Sequence, residues 1–178
     1  MKNTGKITLS AIMAALSAAF MLTSLFPYLT YAIPAIAGLF IMITVVEVGI
    51  KWGIASFAVS AVLTLLLPGD IEAKMLYVAF FGYYPIVKSL LETRYNRVLE
   101  YLIKFAVFNV AIVVSYSFVA AFIGVDMSDM NEFGKYTAYI LLAAANIVFP
   151  IYDIAVTRIY GFYRIRLHKH ISKIVNKK

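Results

Sequence analysis

The sequence predicts an all-α integral membrane protein of six transmembrane helices with both termini cytoplasmic, and three observations carry that prediction. The chain of 178 residues is 63% hydrophobic with a mean hydropathy of +0.87, outside the range of a soluble domain. Its apolar stretches divide into segments of roughly the 20 residues that a span needs. Its lysines and arginines gather on one side of the topology those segments define.

Helix 1 is expected at about Ile7 to Phe26. Hydrophobicity continues to about Gly161, so this segment reads as a retained span and not as a cleaved secretory signal. Helix 2 follows at Tyr31 to Val48 and helix 3 at Gly49 to Leu67. Only Glu47, Gly49, Lys51 and Gly53 interrupt that run, which leaves a broken or re-entrant arrangement as the alternative to two spans. Helix 4 is expected at Lys74 to Leu91, helix 5 at Leu99 to Gly124 and helix 6 at Tyr136 to Tyr160, with a basic tail over 161–178. No internal repeat or low-complexity linker divides the chain, so residues 1–178 read as one transmembrane domain.

In this topology one side collects Lys2, Lys6, Lys51, Lys88, Arg94, Arg97, Lys104, Arg158, Arg164, Arg166, Lys169, Lys173, Lys177 and Lys178. Lys74 and Lys135 are left for the other. The positive-inside rule then makes both termini cytoplasmic. The external loops carry acids instead, Asp70 and Glu72 in the first and Asp126, Asp129 and Glu132 in the second. The net charge of +7 therefore faces the anionic inner leaflet, and the tail RIRLHKHISKIVNKK reads as a membrane-surface or partner contact, not as a nucleic-acid site.

Several chemistries are excluded. There is no cysteine, hence no disulfide, thiolate metal site or cysteine nucleophile. No G-x-x-x-x-G-K-[ST] occurs, so ATP-driven work has to come from another subunit. His168 and His170 sit in the basic tail with no carboxylate cluster, and HKH reads as a solvated run, not a metal site. No nucleophile or acid pair stands in register near a membrane face. A transport subunit without cofactor or metal is more economical than an enzyme.

Two acids lie in or near the hydrocarbon. Glu47 precedes Lys51 by four residues, the favourable orientation for a helical ion pair, and reads as a snorkelling surface pair. Asp153 lies about two turns inside helix 6, where an unpaired carboxylate is expensive. Lys88 and Lys104, at comparable depth on helices 4 and 5, are its expected partners, as a structural ion pair or as a ligand or coupling site.

Helical spacing also aligns polar and aromatic stripes. Helix 6 lines up Tyr139, Ala143, Asn146, Pro150 and Asp153; helix 5 lines up Asn109, Val113, Tyr116 and Ala120; helix 4 lines up Lys74, Tyr77, Phe81, Tyr84 and Lys88. Asn109 and Asn146 both come out near the midplane. The stripes are either interhelical glue or the wall of a cavity, which Gly82 and Pro85 would help open by loosening helix 4. An aromatic wall with few fixed charges suits a small, largely neutral molecule with a flat ring. From these faces the candidate binding residues are Tyr77, Phe81, Tyr84, Asn109, Tyr116, Tyr139 and Asn146.

Helix 1 opens as KITLSAIMAALSAAF. On a helical wheel Ala11, Ala14, Ala15 and Ala18 share one arc with Ala19 at its edge, while Ile12, Leu16 and Phe20 point elsewhere. Such a small-xxx-small face lets another helix approach closely, either within the bundle or on a second protein. With six spans, cytoplasmic termini, a short basic N-terminus and this A-x-x-x-A face, the chain over Gly5 to Arg166 resembles the substrate-binding (S) component of energy-coupling factor transporters.

The resemblance implies an S-component-like bundle in a bacterial cell membrane. It implies that helix 1 docks on a transmembrane T component through Ala11, Ala15 and Ala19, or in the other register through Ala14 and Ala18. Two cytosolic ATPases would complete the complex, and a vitamin-like micronutrient would be captured from outside between external loops and the outer halves of helices 4 to 6. The opening MKNTGK lacks the histidine-bearing segment of the metal-specific relatives, which argues against nickel and cobalt. The alternatives are a non-transporting scaffold of the rod-shape-complex type and a stand-alone proton-coupled carrier that uses Asp153.

Overall fold

The computed structural model of the chain describes residues 3–26, 29–123, 132–166 and 168, and every regular element among them is helical. In order these are α1 (Asn3–Met21), which runs into a 3-10 turn (Leu22–Leu25), α2 (Ala32–Val48), α3 (Ile50–Leu66), α4 (Ile71–Leu76), a π-helical turn (Tyr77–Phe81), α5 (Tyr84–Arg94), α6 (Arg97–Ile123) and α7 (Glu132–Arg166). Three stretches among the described residues are long and apolar enough to cross a membrane: Asn3–Leu25, Arg97–Val119 and Tyr139–Arg166. α2 and α3 are also apolar, but at 17 residues each they rise only about 25 Å against roughly 30 Å of hydrocarbon. Gly124, the loop acids Asp126 and Asp129, Lys2, and the tail positions Lys169, His170, Lys173, Lys177 and Lys178 lie outside the described residues, as do the side chains of Ala120, Glu132 and Lys135.

α1, α2 and α3 pack most closely, and small side chains are the reason. α1 buries Leu9, Ser10, Ala14, Ser17, Ala18 and Met21 against its neighbours, with Ala14 only 1% and Ala18 only 2% exposed. Ala11, Ala15 and Ala19 are exposed. The single alanine arc expected on α1 is therefore split: one register lies inside the bundle and the other on its surface. Hydroxyls bond across the close approach, where Ser56 Oγ donates to the Ser10 carbonyl at 3.0 Å and Ser17 Oγ to the Ala37 carbonyl at 2.9 Å. Lipid supplies no hydrophobic drive for helix association, so close packing and such bonds have to supply it.

Gly49 separates α2 from α3 with φ of 102°, a conformation that suits glycine. Its N–H closes α2 by bonding the Thr44 and Val45 carbonyls, and its own carbonyl opens α3 by accepting from Gly53. This break falls between Glu47 and Lys51, so the expected i,i+4 pair has no continuous helix to stand on. Glu47 instead accepts from Tyr163 at 2.7 Å and meets His168 Nδ1 at 2.8 Å. His168 is thus engaged with a carboxylate and is not part of a merely solvated run. α7 carries it there by continuing to Arg166, about one and two-thirds turns past the expected end at Tyr160.

Predicted helix 4 is the largest departure, because it is three pieces and not one. Asp70 caps α4 by accepting from the Glu72 and Ala73 N–H groups, both at 3.3 Å. After one π-type turn, closed by Gly82 N–H on the Tyr77 carbonyl at 2.8 Å, α5 restarts with Pro85 in its first turn, where the missing N–H costs nothing. The wide turn shifts register, so Tyr77 faces α1 and α3 while Tyr84 faces α7. α2 accommodates it at Gly38, where an added Cβ would stand 2.2 Å from the Phe81 carbonyl oxygen.

That contact gives a signed test. Gly38→Ala is expected to lower detergent-solubilised thermal stability by about 1–3 kcal/mol, the usual cost of overpacking. Gly161→Ala, whose Cβ would meet nothing within 4 Å, is expected to raise helix stability by up to about 1 kcal/mol. Equal behaviour of the two variants in thermal unfolding would refute the close approach.

Candidate functional site

The seven candidate binding residues do not converge on one cavity; they occupy four settings. Tyr77 is fully buried and takes part in a hydroxyl chain, 2.6 Å from Ser60 Oγ and 2.7 Å from Ser17 Oγ. Ser17 donates to the Ala37 carbonyl at 2.9 Å and Ser60 to the Phe57 carbonyl at 3.0 Å, so both serines can offer Tyr77 lone pairs, between which its single proton is shared. Tyr77 thereby ties α1, α2 and α3 to the π turn. Its role is to hold helices together.

Tyr84 and Phe81 belong to an aromatic cluster that fills the middle of the bundle. Phe80 packs against Tyr84, Phe108 and Phe149 with centroids 4.7, 5.1 and 5.9 Å away, and Phe108 stacks on Phe149 at 4.6 Å. Phe81 meets the Tyr152 ring edge-on at 5.0 Å. The rings expected to wall a cavity largely occupy it instead. The Tyr152 hydroxyl is buried here and makes no hydrogen bond among the described residues.

Asn109 and Asn146 face each other across α6 and α7 in a reciprocal amide pair, both bonds 2.8 Å. Each amide nitrogen also donates to the carbonyl four residues back in its own helix. Tyr116 and Tyr139, further along the same helices, are exposed, Tyr139 at 71%.

Below the aromatic cluster stands a charge network. Asp153 Oδ1 accepts from the Tyr84 hydroxyl at 2.5 Å and from Lys88. Lys104, with no exposed surface at all, reaches Asp153 at 3.2 Å, Glu92 at 3.1 Å and Glu100 at 2.5 Å. Lys88 also meets Glu92 at 2.5 Å. Among the described residues three carboxylates therefore share two ammonium groups, an excess of one negative charge. Glu92 and Glu100 were not singled out in the sequence, although each stands four residues from its lysine, a spacing that marks helical ion pairs. Ser10, Ser17 and Ser24 were also passed over; their spacing of seven puts them on one face, and all three are buried.

A cleft of about 230 Å³ opens beside this network, between α2, α5 and α7, with Val45, Pro85, Lys88, Glu92 and Thr157 among its walls. At the opposite end of the bundle, Ser24 Oγ accepts from the Asp70 N–H at 3.2 Å, and Lys74 donates to the Leu67 carbonyl at 2.5 Å. There Tyr31 donates to Glu72 at 2.8 Å, and this bond, with burial and the nearby acids, pushes its phenol up to about 12. Among the described residues no three histidine or carboxylate side chains stand together so as to hold a metal ion. Comparison with family models, with curated proteins and with solved structures finds no match.

Removing one buried partner leaves charges stranded, which costs far more than the pair contributes net. Lys104→Met is accordingly expected to destabilise the protein by about 3–5 kcal/mol, and Lys104→Met combined with Glu100→Gln to recover part of that loss. A double-mutant cycle by thermal unfolding in detergent reads the coupling; strictly additive losses would contradict the network.

Proposed function

We propose that this chain is the six-span capture subunit of an energy-coupling-factor type importer in a bacterial cell membrane, with both termini cytoplasmic. It would bind a small vitamin-like or aromatic, heterocyclic micronutrient from outside and deliver it inward together with a transmembrane T component and two cytosolic ATPases. The reading assigns the chain no catalysis of its own, in keeping with the missing phosphate-binding loop.

The observation that carries it is the division of the α1 alanines. Ala14 and Ala18 already serve the internal contact with α2 and α3, which would suffice for a helix that only completes a bundle. Ala11, Ala15 and Ala19 nonetheless leave a second shallow face outside, flanked by exposed Ile12 and Leu16. A helix that only met lipid would gain more from bulky apolar side chains there, whereas a partner helix gains from shallow ones. For capture, the outer halves of α6 and α7 offer exposed Tyr116 and Tyr139 above the Asn109–Asn146 pair, and Tyr152 offers a buried hydroxyl that makes no hydrogen bond among the described residues.

One observation favours a second reading. A carboxylate buried with two lysines is the kind of group that ion-coupled carriers use, so a stand-alone proton-coupled carrier built on Asp153 is the competing assignment.

The two readings separate in one experiment. Co-purification from native membranes is expected to recover a T component and ATPases with the wild-type chain. Ala15→Trp is expected to abolish that recovery with little change in melting temperature, whereas Ala14→Trp unfolds the α1–α3 packing. Full recovery with Ala15→Trp, or ATP-independent uptake by the purified chain alone in vesicles, would remove the capture-subunit assignment.

A further inference from the structure

The cleft between α2, α5 and α7 lies at the end of the bundle that carries Glu47 and Tyr163, away from the outer halves of α6 and α7. One wall is apolar, formed by Met42, Val46, Pro85 and Tyr160. Its volume of about 230 Å³ equals the share of roughly eight water molecules in the liquid, enough for a small organic ion.

The polar wall is biased towards accepting hydrogen bonds. Thr157 donates its proton to the Asp153 carbonyl at 2.9 Å, and Thr93 donates to the Ser89 and Leu90 carbonyls at 2.9 and 3.0 Å. Each hydroxyl therefore has only lone pairs left to offer. Lys88 lines the cleft too, but its ammonium is engaged by Asp153 and Glu92. Glu92 is the member of the charge network that reaches solvent, with 39% of its side chain exposed, and both lysines meet it through the same oxygen, Oε1. Among the described residues its Oε2 takes part in no ion pair, which leaves an acceptor on a residue that lines the cleft.

We infer that this cleft is a binding site for a small organic ammonium ion, held by Glu92 with the hydroxyls of Thr93 and Thr157 and covered by the apolar wall. The ammonium neutralises the one uncompensated charge of the network, and its N–H groups meet acceptors that have no proton to give. The ring of Tyr160 adds a face that attracts cations. A free amine and the ethanolamine headgroup of a phospholipid present the same chemistry. The inference stands independently of the capture reading.

The test uses the full chain in an uncharged detergent, with benzylammonium chloride as probe and isothermal titration calorimetry as readout. Benzylammonium is expected to bind, and benzyl alcohol and benzoate to bind at least about tenfold more weakly, the scale of one charge-assisted hydrogen bond. Glu92→Gln is expected to weaken benzylammonium by a similar factor. Thr157→Val, which leaves the network intact, is expected to weaken it less while keeping the melting temperature. Equal binding of benzyl alcohol, undiminished binding in both variants, or no binding of benzylammonium would overturn the site. So would a Glu92-dependent heat from sodium chloride alone, which would make it a metal-cation site. Native mass spectrometry distinguishes the sources: an ethanolamine phospholipid retained by the wild type and displaced by benzylammonium identifies the headgroup, and its absence alongside amine binding identifies a free amine.

Discussion

The placement of α5, α6 and α7 depends on keeping five charges paired, four of them buried and one, Glu92, reaching solvent. Asp153 on α7, Lys88 and Glu92 on α5, and Lys104 and Glu100 on α6 each satisfy a group from another helix or from the next turn of their own. In a low-dielectric setting no one of them can be withdrawn without stranding another. The network therefore fixes the relative height of three helices that otherwise touch mostly through interchangeable aromatic rings. Packing of Phe against Phe tolerates sliding; an ammonium shared among three carboxylates does not.

That constraint explains why the fourth hydrophobic segment is broken. Tyr77 has to meet Ser17 and Ser60 on one side, while Tyr84 and Lys88 have to meet Asp153 on the other. A straight α-helix would place positions 77, 81, 84 and 88 along one stripe and could serve only one of these demands. One π turn changes the register between them. Gly82 and Gly38 give the widened backbone its room, since side chains at either would collide with Phe57 or with the Phe81 carbonyl. Single π turns of this kind often mark functional sites, and here the turn joins the hydroxyl chain to the charge network.

The helical class and the approximate place of each apolar segment were legible because length and hydropathy determine them. Asp153 with Lys88 and Lys104 was legible because an intramembrane acid demands a partner and few cations are within reach. The course of the stripe on the fourth segment was not. It assumed that one face of a straight helix stays one face, which the π turn undoes, and that aromatic rings outline space, when at this density they fill it. The Glu47–Lys51 pair failed for a related reason: spacing by four means proximity only while the helix continues, and Gly49 ends it. The two alanine registers are legible but not which of them lies inside, because wheel geometry says which residues are neighbours and not which of two adjacent faces meets the bundle. The spacing of Ser10, Ser17 and Ser24, which runs along the buried side, carried that information.

The molecule is consequently uneven in a way that bears on what it can do. α1, α2 and α3 are joined by small residues and by hydroxyl bonds from Ser56 to the Ser10 carbonyl, from Ser17 to the Ala37 carbonyl, and between Tyr77 and both Ser17 and Ser60. Such contacts permit little adjustment, and they present Ala11, Ala15 and Ala19 on a stiff surface. α6 and α7 meet more sparingly, through stacked rings, one asparagine pair and the charge network, and long apolar stretches of both stay exposed. The described contacts that clamp this helix pair, the charge network and the asparagines, are separate from those that hold the α1–α3 unit. Tight and sparse packing fall on different helices here because the small residues and the aromatic residues are segregated along the chain.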